Sequence, residues 1–377
     1  MRIAILEWVC GGGMHAIAPD QIPTSLANEG QAMLACLLRQ FSAAGADVVT
    51  LIDSRLVNRN RVCQDRCQLV DYERRSNDSN QTSDDVDPVG DTIQHWIEFA
   101  FQCDLVLVVA PEIDGILQRC LRAMKAAGLA LLNCSGSFLE NCCSKFQTAR
   151  VLHQADIEHP KTYSLEELQN VALTNDEQLW CIKSDLGAGC EGLQVGTLDE
   201  IRAVASAKML SSKSTSDTSY IVQPWIEGQT FSCSAIVDRT GTAHWFPLVT
   251  QSFSVAPSDS GCTTRIYQGG EIVLNSSAIS RPTELLNRTI EALAQLQPLG
   301  ALGWIGVDLL LDKSGKWIVI EVNPRMTTSV IGLSEASPKN LGELMMQAFQ
   351  GKSLPPWSDS DWKKNVAFNA TGTVDTI

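Results

Sequence analysis

The sequence predicts a mixed chain, an α/β lobe followed by a larger α+β region. Two observations carry this. Over the first ~130 residues, apolar strand-like runs alternate with helical periodicity, as parallel-sheet lobes require. Among them Asp104-Leu105-Val106-Leu107-Val108-Val109-Ala110 is the continuous apolar run typical of a buried parallel strand. Later, Tyr220-Ile221-Val222-Gln223-Pro224-Trp225-Ile226 and Phe231-Ser232-Cys233-Ser234-Ala235-Ile236-Val237 begin an antiparallel sheet that runs to Glu321.

Taken in order, residues 2–9 read as a first strand with Glu7 inside it, followed by the loop Cys10-Gly11-Gly12-Gly13-Met14. Residues 29–44 have helical periodicity and stop at Gly45, and Val48–Asp53 is the second strand. Residues 74–92 are polar and rich in turn formers, which predicts an exposed, mobile insertion. A helix over 92–102, the strand 104–110, another helix and the short strand Ala130-Leu131-Leu132-Asn133 complete a small doubly wound lobe.

From Lys145 the character changes. A helix is expected at 145–155, then Pro160-Lys161-Thr162 and a helix at 164–170. The strand Leu179-Trp180-Cys181-Ile182-Lys183, a glycine loop and the strand Leu193-Gln194-Val195 follow. Thr197-Leu198-Asp199-Glu200 is a capping box opening a helix over 198–209. Residues 211–219 read as a flexible connector, and the tail beyond about 365 as loose.

Composition sets the outer limits. With 377 residues there is room for two or three lobes and a large core. An apolar content of 44% with 19% charge is globular rather than disordered. Forty-three acidic against 29 basic residues give −14, which argues against a nucleic-acid partner. Neither a signal-peptide core nor a bilayer-length apolar window is present, so the cytoplasm is expected. Thirteen cysteines, an odd number, then read as free thiols. Cys63 and Cys67 have ligand spacing but lack a second pair, Cys142-Cys143 reads as packing, and the five histidines form no cluster.

The chemistry is concentrated near Glu321-Val322-Asn323-Pro324-Arg325. A carboxylate and an amide oxygen two residues apart on a strand share one side, and both are hard ligands suited to Mg²⁺. Arg325 adds a planar fork for phosphate oxygens. Gly306-Val307-Asp308-Leu309-Leu310 puts another carboxylate on the neighbouring strand, and the turn Asp312-Lys313-Ser314-Gly315 makes the two a hairpin. Together they describe a magnesium–nucleotide site. The apolar flanks make an incidental acidic surface hairpin the weaker reading.

Gly187-Ala188-Gly189-Cys190-Glu191-Gly192 matches the dinucleotide glycine pattern, but a strand rather than a helix follows it. It reads instead as a flap able to lay backbone N–H groups over phosphates, or as a plain hairpin turn. Lys183 ends a buried-looking strand just before it, where an ammonium needs a partner. Lys145 opens a helix, a place that disfavours cations unless an anion binds beside it. Gln223-Pro224-Trp225-Ile226 keeps a carbonyl at Gln223 and an amide at Ile226 to read an adenine edge. An edge strand carrying a proline explains that segment equally well.

This arrangement resembles the ATP-grasp carboxylate–amine ligases over about residues 130–335, with an α/β lobe before it as in those enzymes. The resemblance implies a Rossmann-like pre-ATP-grasp lobe at 1–132 and a small subdomain with the flap at 133–210. A large subdomain with the metal site at 220–365 and a tail at 366–377 would follow. It implies ATP with Mg²⁺ (or Mn²⁺), the metal held by Asp308, Glu321 and Asn323. Lys145, Lys183, Gly187, Gly189, Gly192, Gln223, Trp225, Ile226 and Glu227 would bind the nucleotide, with Arg325 and Lys183 acting in catalysis. Many members carry an acidic ribose ligand shortly after the hinge glycine, whereas here Gly228 is followed by Gln229-Thr230.

A narrower resemblance is carried by Glu7-Trp8-Val9-Cys10-Gly11-Gly12-Gly13, Ser25-Leu26-Ala27-Asn28-Glu29-Gly30, Met33, Ile52-Asp53-Ser54-Arg55 and Ile266-Tyr267-Gln268-Gly269-Gly270. These look like the tyramine–glutamate ligase group of methanofuran biosynthesis. That implies a glutamate-like acid, a tyramine-like amine and an acylphosphate intermediate, with Gly11, Gly12 and Gly13 shaping an acceptor pocket or simply a tight turn. The rival readings are an ATP-grasp carboxylase, an amino-acid ligase with another acceptor, and a nucleotide-binding module without catalysis. The oligomeric state is not legible.

Overall fold

The computed structural model describes residues 1–59, 67–70, 87–171, 178–190, 192–215, 219–258, 260–274, 279–295 and 297–376. The first lobe contains β1 (Arg2–Glu7), α1 (Thr24–Ala43), β2 (Asp47–Asp53), β3 (Cys67–Val70), α2 (Pro88–Ala100), β4 (Leu105–Val109) and α3 (Ile116–Ala126). Its sheet is parallel throughout, in the order β3-β2-β1-β4. The expected α/β lobe is therefore present, with local differences. The strand read at 130–133 shrinks to one bridge between Val106 and Leu131. Beyond it the Asn133 side chain replaces the backbone ladder, accepting from the Val108 amide at 2.9 Å and donating to its carbonyl at 2.8 Å. α1 starts at Thr24, behind Pro23, ahead of the expected 29. Of the insertion read at 74–92, residues 74–86 lie outside the described residues, and Pro88 to Thr92 open α2.

The second region begins with α4 (Gly136–Cys143), α5 (Lys145–Gln154), β5 (Tyr163–Ser164), α6 (Leu165–Asn170), β6 (Trp180–Ser184), β7 (Gln194–Gly196), α7 (Leu198–Thr215) and β8 (Tyr220–Pro224). It continues with β9 (Gly228–Val237), β10 (Ala243–Thr250), β11 (Ser252–Pro257), β12 (Thr263–Val273), α8 (Thr283–Ala294), β13 (Gly303–Asp312) and β14 (Trp317–Asn323). α9 (Val330–Ala336), α10 (Leu341–Phe349), β15 (Val366–Asn369) and β16 (Val374–Thr376) complete it. The long sheet runs β14-β13-β9-β10-β12-β7-β6-β8-β5, with β11 and β15 joining through β12, and its pairings are antiparallel.

Two readings of connecting chain change here. The helix expected to end at 209 continues to Thr215, so residues 211–215 are helical rather than a connector. Its capping box is as expected, the Thr197 amide donating to Glu200 Oε2 at 2.7 Å and the Glu200 amide to Thr197 Oγ1 at 3.4 Å. The tail is not loose. β15 pairs with β12 at Gly269 and Gly270, and Val366 and Phe368 are buried. Gly269 makes this approach possible, since a Cβ there would lie 2.1 Å from the Phe368 carbonyl oxygen, while a Cβ at Gly270 would lie 2.0 Å from the Thr250 carbonyl oxygen of β10.

Four larger hydrophobic groups hold the molecule. One joins α1 and the first sheet (Ile3, Leu37, Phe41) to α9, α10 and the tail (Leu333, Leu344, Phe368). A second fills the other face of that sheet around Trp8, Trp96 and Val108. A third packs α4 and α5 (Phe138, Val151, Leu152) on Phe231, Ile305 and Val319 of the long sheet. The fourth is smaller and sits under β6 and α7, around Trp180, Ile201 and Val222. The described cysteines are free thiols, Cys142 and Cys143 being buried in apolar packing, and Cys63 lies outside the described residues. Among the described residues no helix is long and apolar enough to cross a membrane.

Candidate functional site

The site is built on the β13–β14 hairpin. Asp308 stands directly across from Glu321, and Gly306 across from Asn323. A register shift after this pair sets Leu309 opposite Val319, leaving Ile320 as an extra residue. Such a bulge re-aims the side chains beside it. It lets Glu321 face Asp308 while Leu309 and Val319 on either side stay in the core. The turn is stabilised by Asp312, whose Oδ1 accepts from the amides of Ser314 at 2.9 Å and Lys316 at 2.8 Å.

The two carboxylates are held differently. Burial and then the charge of Glu321 push Asp308 up to about 7, against hydrogen bonds from Asn323 Nδ2 at 3.3 Å and Gln251 Nε2 at 2.9 Å. Burial would raise Glu321 too, but the ammonium groups of Lys145 and Lys183 outweigh it and hold that carboxyl below its usual range. Lys145 Nζ lies 3.1 Å from Glu321 Oε1 and donates to the Gly187 carbonyl. Two half-buried carboxylates beside one buried amide oxygen form a hard-oxygen set, and the repulsion felt by Asp308 is what a divalent cation would relieve. No group of three His, Cys, Asp or Glu residues suited to a metal occurs among the described residues, so Asn323 is needed to complete the set.

The anion expected beside the lysine at the start of α5 is supplied by the protein. Asp185 accepts from the Phe146 amide at 2.7 Å and from Ser144 Oγ at 2.9 Å, and Ser144 Oγ accepts from the Gln147 amide at 3.0 Å. A carboxylate there satisfies the exposed amides and the helix dipole. Lys145 is thereby free to turn its amine toward Glu321.

The glycine loop after β6 leads into strand β7, as expected, and not into a helix. Gly189, Cys190 and Gly192 all take left-handed backbone angles, with φ of 62°, 64° and 69°. Cys190 pays for this conformation that glycine adopts freely. It packs with Cys181, Leu193, Val195 and Trp225, so the loop rests against the hinge segment, and its thiol feels the charges of Glu321 and Asp308. Gly187 is the loop residue reached by Lys145.

In the hinge, Gln223 pairs with Cys181 across the β6–β8 ladder and its side-chain amide donates to Thr162 Oγ1 at 2.7 Å. The Trp225 amide donates to the Leu179 carbonyl at 2.8 Å, and the Arg265 guanidinium lies 5.2 Å from the centre of its ring. Ile226 and Glu227 lead on to Gly228 at the start of β9. Glu227 is exposed and ion-paired with Lys313 at the rim of a cleft of about 520 Å³ lined by Gly228, Gln229 and Asp312.

Asp308, Glu321, Asn323, Arg325, Lys145 and Lys183 thus come together, and of the loop glycines Gly187 is tied to them through Lys145. Gly11 and Gly13 form a turn whose amides donate to Glu7 and Trp8 carbonyls, both at 2.8 Å, and a Cβ at Gly13 would strike the Trp8 ring. Sequence reasoning missed three neighbours. Asp185 follows Lys183 by two residues, and Gln251 sits between two strands with no signal to mark it. Glu112 approaches Arg325 from the first lobe, Arg325 Nε donating to its two carboxylate oxygens at 2.9 and 2.8 Å. It follows β4 at the carboxyl end of a parallel sheet, where α/β folds bind ligands, and that position was a usable signal.

Residues 142–329 match the family of the ATP-grasp domain, and residues 46–137 match the pre ATP-grasp 3 domain. The chain is 22% identical to the tyramine–L-glutamate ligase of Methanocaldococcus jannaschii over 340 residues, covering 90% of this chain and 89% of that one. An ATP-grasp superfamily protein from Archaeoglobus fulgidus superposes with a TM-score of 0.61 at 18% identity, over 93% of this chain and 89% of that one. The biotin carboxylase of Campylobacter jejuni, solved as a β-γ-ATP complex, gives 0.62 at 14% identity, over 97% and 74%. With two domain families matched in order on the two lobes, the chain belongs to the ATP-grasp superfamily and is an ADP-forming ligase of carbon–nitrogen bonds.

Proposed function

We propose that the protein joins the γ-carboxylate of glutamate to tyramine or a similar aryl-ethyl amine, in the synthesis of a methanofuran-type cofactor in the cytoplasm. The observation that carries this reading is the set Asp308, Glu321 and Asn323, flanked by Lys145, Lys183 and Arg325, with Lys145 reaching Gly187 of the glycine loop. The choice of acid and amine rests on the similarity to the M. jannaschii ligase along most of both chains.

ATP is bound with Trp225 and Ile226 at the adenine, Glu227 near the ribose and the backbone of Gly187, Gly189 and Gly192 over the phosphates. Asp308, Glu321 and Asn323 would hold Mg²⁺, with Mn²⁺ as a substitute, and an ion held there would lower the cost of charge on the phosphates. Lys145 and Lys183 neutralise phosphate oxygens, and Arg325 stabilises the transferring phosphoryl group. A glutamate γ-carboxylate oxygen attacks the γ-phosphorus, and the bond to the bridging oxygen breaks to release ADP. The neutral amine attacks the acyl carbon, loses one proton and expels phosphate, leaving an amide. Closure of the loop keeps water from the acylphosphate. In this scheme 1–132 is the acceptor lobe, 133–210 the flap subdomain, 220–365 the metal subdomain and 366–377 its last hairpin.

The test is phosphate release from ATP, Mg²⁺ and glutamate with a panel of amines, the amide product identified by mass. Amine-dependent release with tyramine-like amines is expected. Tight ATP binding without turnover on any amine would refute the ligation.

A further inference from the structure

Arg325 lies just past the end of β14, where Pro324 has stopped the strand, so the hairpin itself does not fix its side chain. What fixes it comes from the other lobe. Glu112 follows β4 and is 3% exposed. Both its oxygens accept from Arg325 Nε. Arg325 Nη1 donates to the Met326 carbonyl at 3.1 Å, and Nη2 to Asn323 Oδ1 at 3.5 Å. Asn323 in turn donates to Asp308. A guanidinium has five N–H groups in a rigid fork. Clamping Nε from behind sets Nη1 on the Met326 carbonyl and Nη2 toward Asn323, and each Nη keeps a second N–H for a ligand.

A buried ion pair is a poor source of stability, because desolvation offsets the attraction. Its value lies in geometry. A flexible arginine would have to be ordered during the reaction, whereas one held beforehand costs no reorganisation.

We propose that Glu112 is a positioning residue for phosphoryl transfer: it acts through Arg325, fixing the guanidinium so that its Nη edge meets the transferring phosphoryl group. This rests on the reading of the site as a phosphoryl-transfer centre, and it makes the α/β lobe a working part of the nucleotide site.

The experiment uses the full chain and the variants Glu112→Gln, Glu112→Asp, Arg325→Ala and Glu112→Gln with Arg325→Ala. Calorimetry measures the affinity for MgADP with and without aluminium fluoride, a mimic of the transferring phosphoryl group, and steady-state ADP release gives kcat and KM. Glu112→Gln should lower kcat on the order of 10- to 100-fold and abolish the tightening by aluminium fluoride. KM for ATP and the affinity for MgADP alone should stay within about twofold, as transition-state effects require. In the Arg325→Ala background the same change should add nothing. Glu112→Asp keeps the charge but retracts it, and gives a smaller loss of the same kind should the Gln variant fail to fold. A Glu112→Gln protein that tightens and turns over like wild type overturns the inference, as does a loss that persists without Arg325. A wild type that binds MgADP but shows neither tightening nor ADP release overturns the phosphoryl-transfer reading itself.

Discussion

Lys145 Nζ stands 3.1 Å from Glu321 Oε1 and at the same time donates to the carbonyl of Gly187. One side chain therefore ties the start of a helix, a strand of the long sheet and the glycine loop together. Asp185 makes this possible by satisfying the helix N-terminus in its place.

Replacing Lys145 by Met should cost both stability and nucleotide binding. Breaking one side of a buried pair costs about 3–5 kcal/mol, and a lost charge-assisted contact to phosphate corresponds to about a 10- to 100-fold weaker interaction. The melting temperature should fall by several degrees and KM for ATP should rise. A variant that melts with wild type would show that the pair contributes nothing.

The Asp308–Glu321 pair predicts a specific pH dependence. Asp308, raised to about 7, stabilises the fold most when protonated. That contribution is complete below its unfolded value and is lost as pH rises toward 7. Asp308→Asn should therefore melt higher than wild type at pH 8, and the difference should shrink as pH falls toward 4. Glu321, held low, has the opposite sign: its contribution is present above the usual carboxylate value and disappears on acidification below it. Paired melting curves of Asp308→Asn and Glu321→Gln from pH 4 to 8 check this, and parallel profiles would contradict it.

Glu321→Gln keeps the size of the side chain and removes the charge. Turnover should fall at least about 100-fold, as when electrostatic groups are removed from other transfer sites, while cooperative melting is retained. Unchanged ADP release would refute the metal assignment.

Phe368→Ala should destabilise the protein by about 3–5 kcal/mol, the usual cost of deleting a buried phenyl ring. Phe368 packs against Gly332 and pairs through Gly270. Denaturant melts report the loss, and a change within about 0.5 kcal/mol, the range of a surface residue, would remove the tail from the core.

Much of this was legible because the signals are local. Glu321, Asn323 and Asp308 could be read from strand periodicity and one turn, and the capping box at Thr197 from a three-residue spacing. Contacts set by tertiary approach were not legible. Glu112 meets Arg325 across 213 positions of sequence. β3 has only four residues, two of them exposed, and offers too short a pattern. The approach of β15 depends on Gly269, about 100 residues earlier in the chain, and the one-residue bulge at Ile320 leaves no trace in composition.

The core that joins Ile3 and Phe41 to Leu344 and Phe368 has a consequence for synthesis. Gly342 lies so close to the backbone of Gln40 and Phe41 that a Cβ would meet it at 2.8 Å, and the Leu341 amide donates to Gln40 Oε1. During synthesis this lobe therefore keeps one apolar face uncovered until α9, α10 and the strands after them follow. An excised lobe of residues 1–132 should expose the same surface.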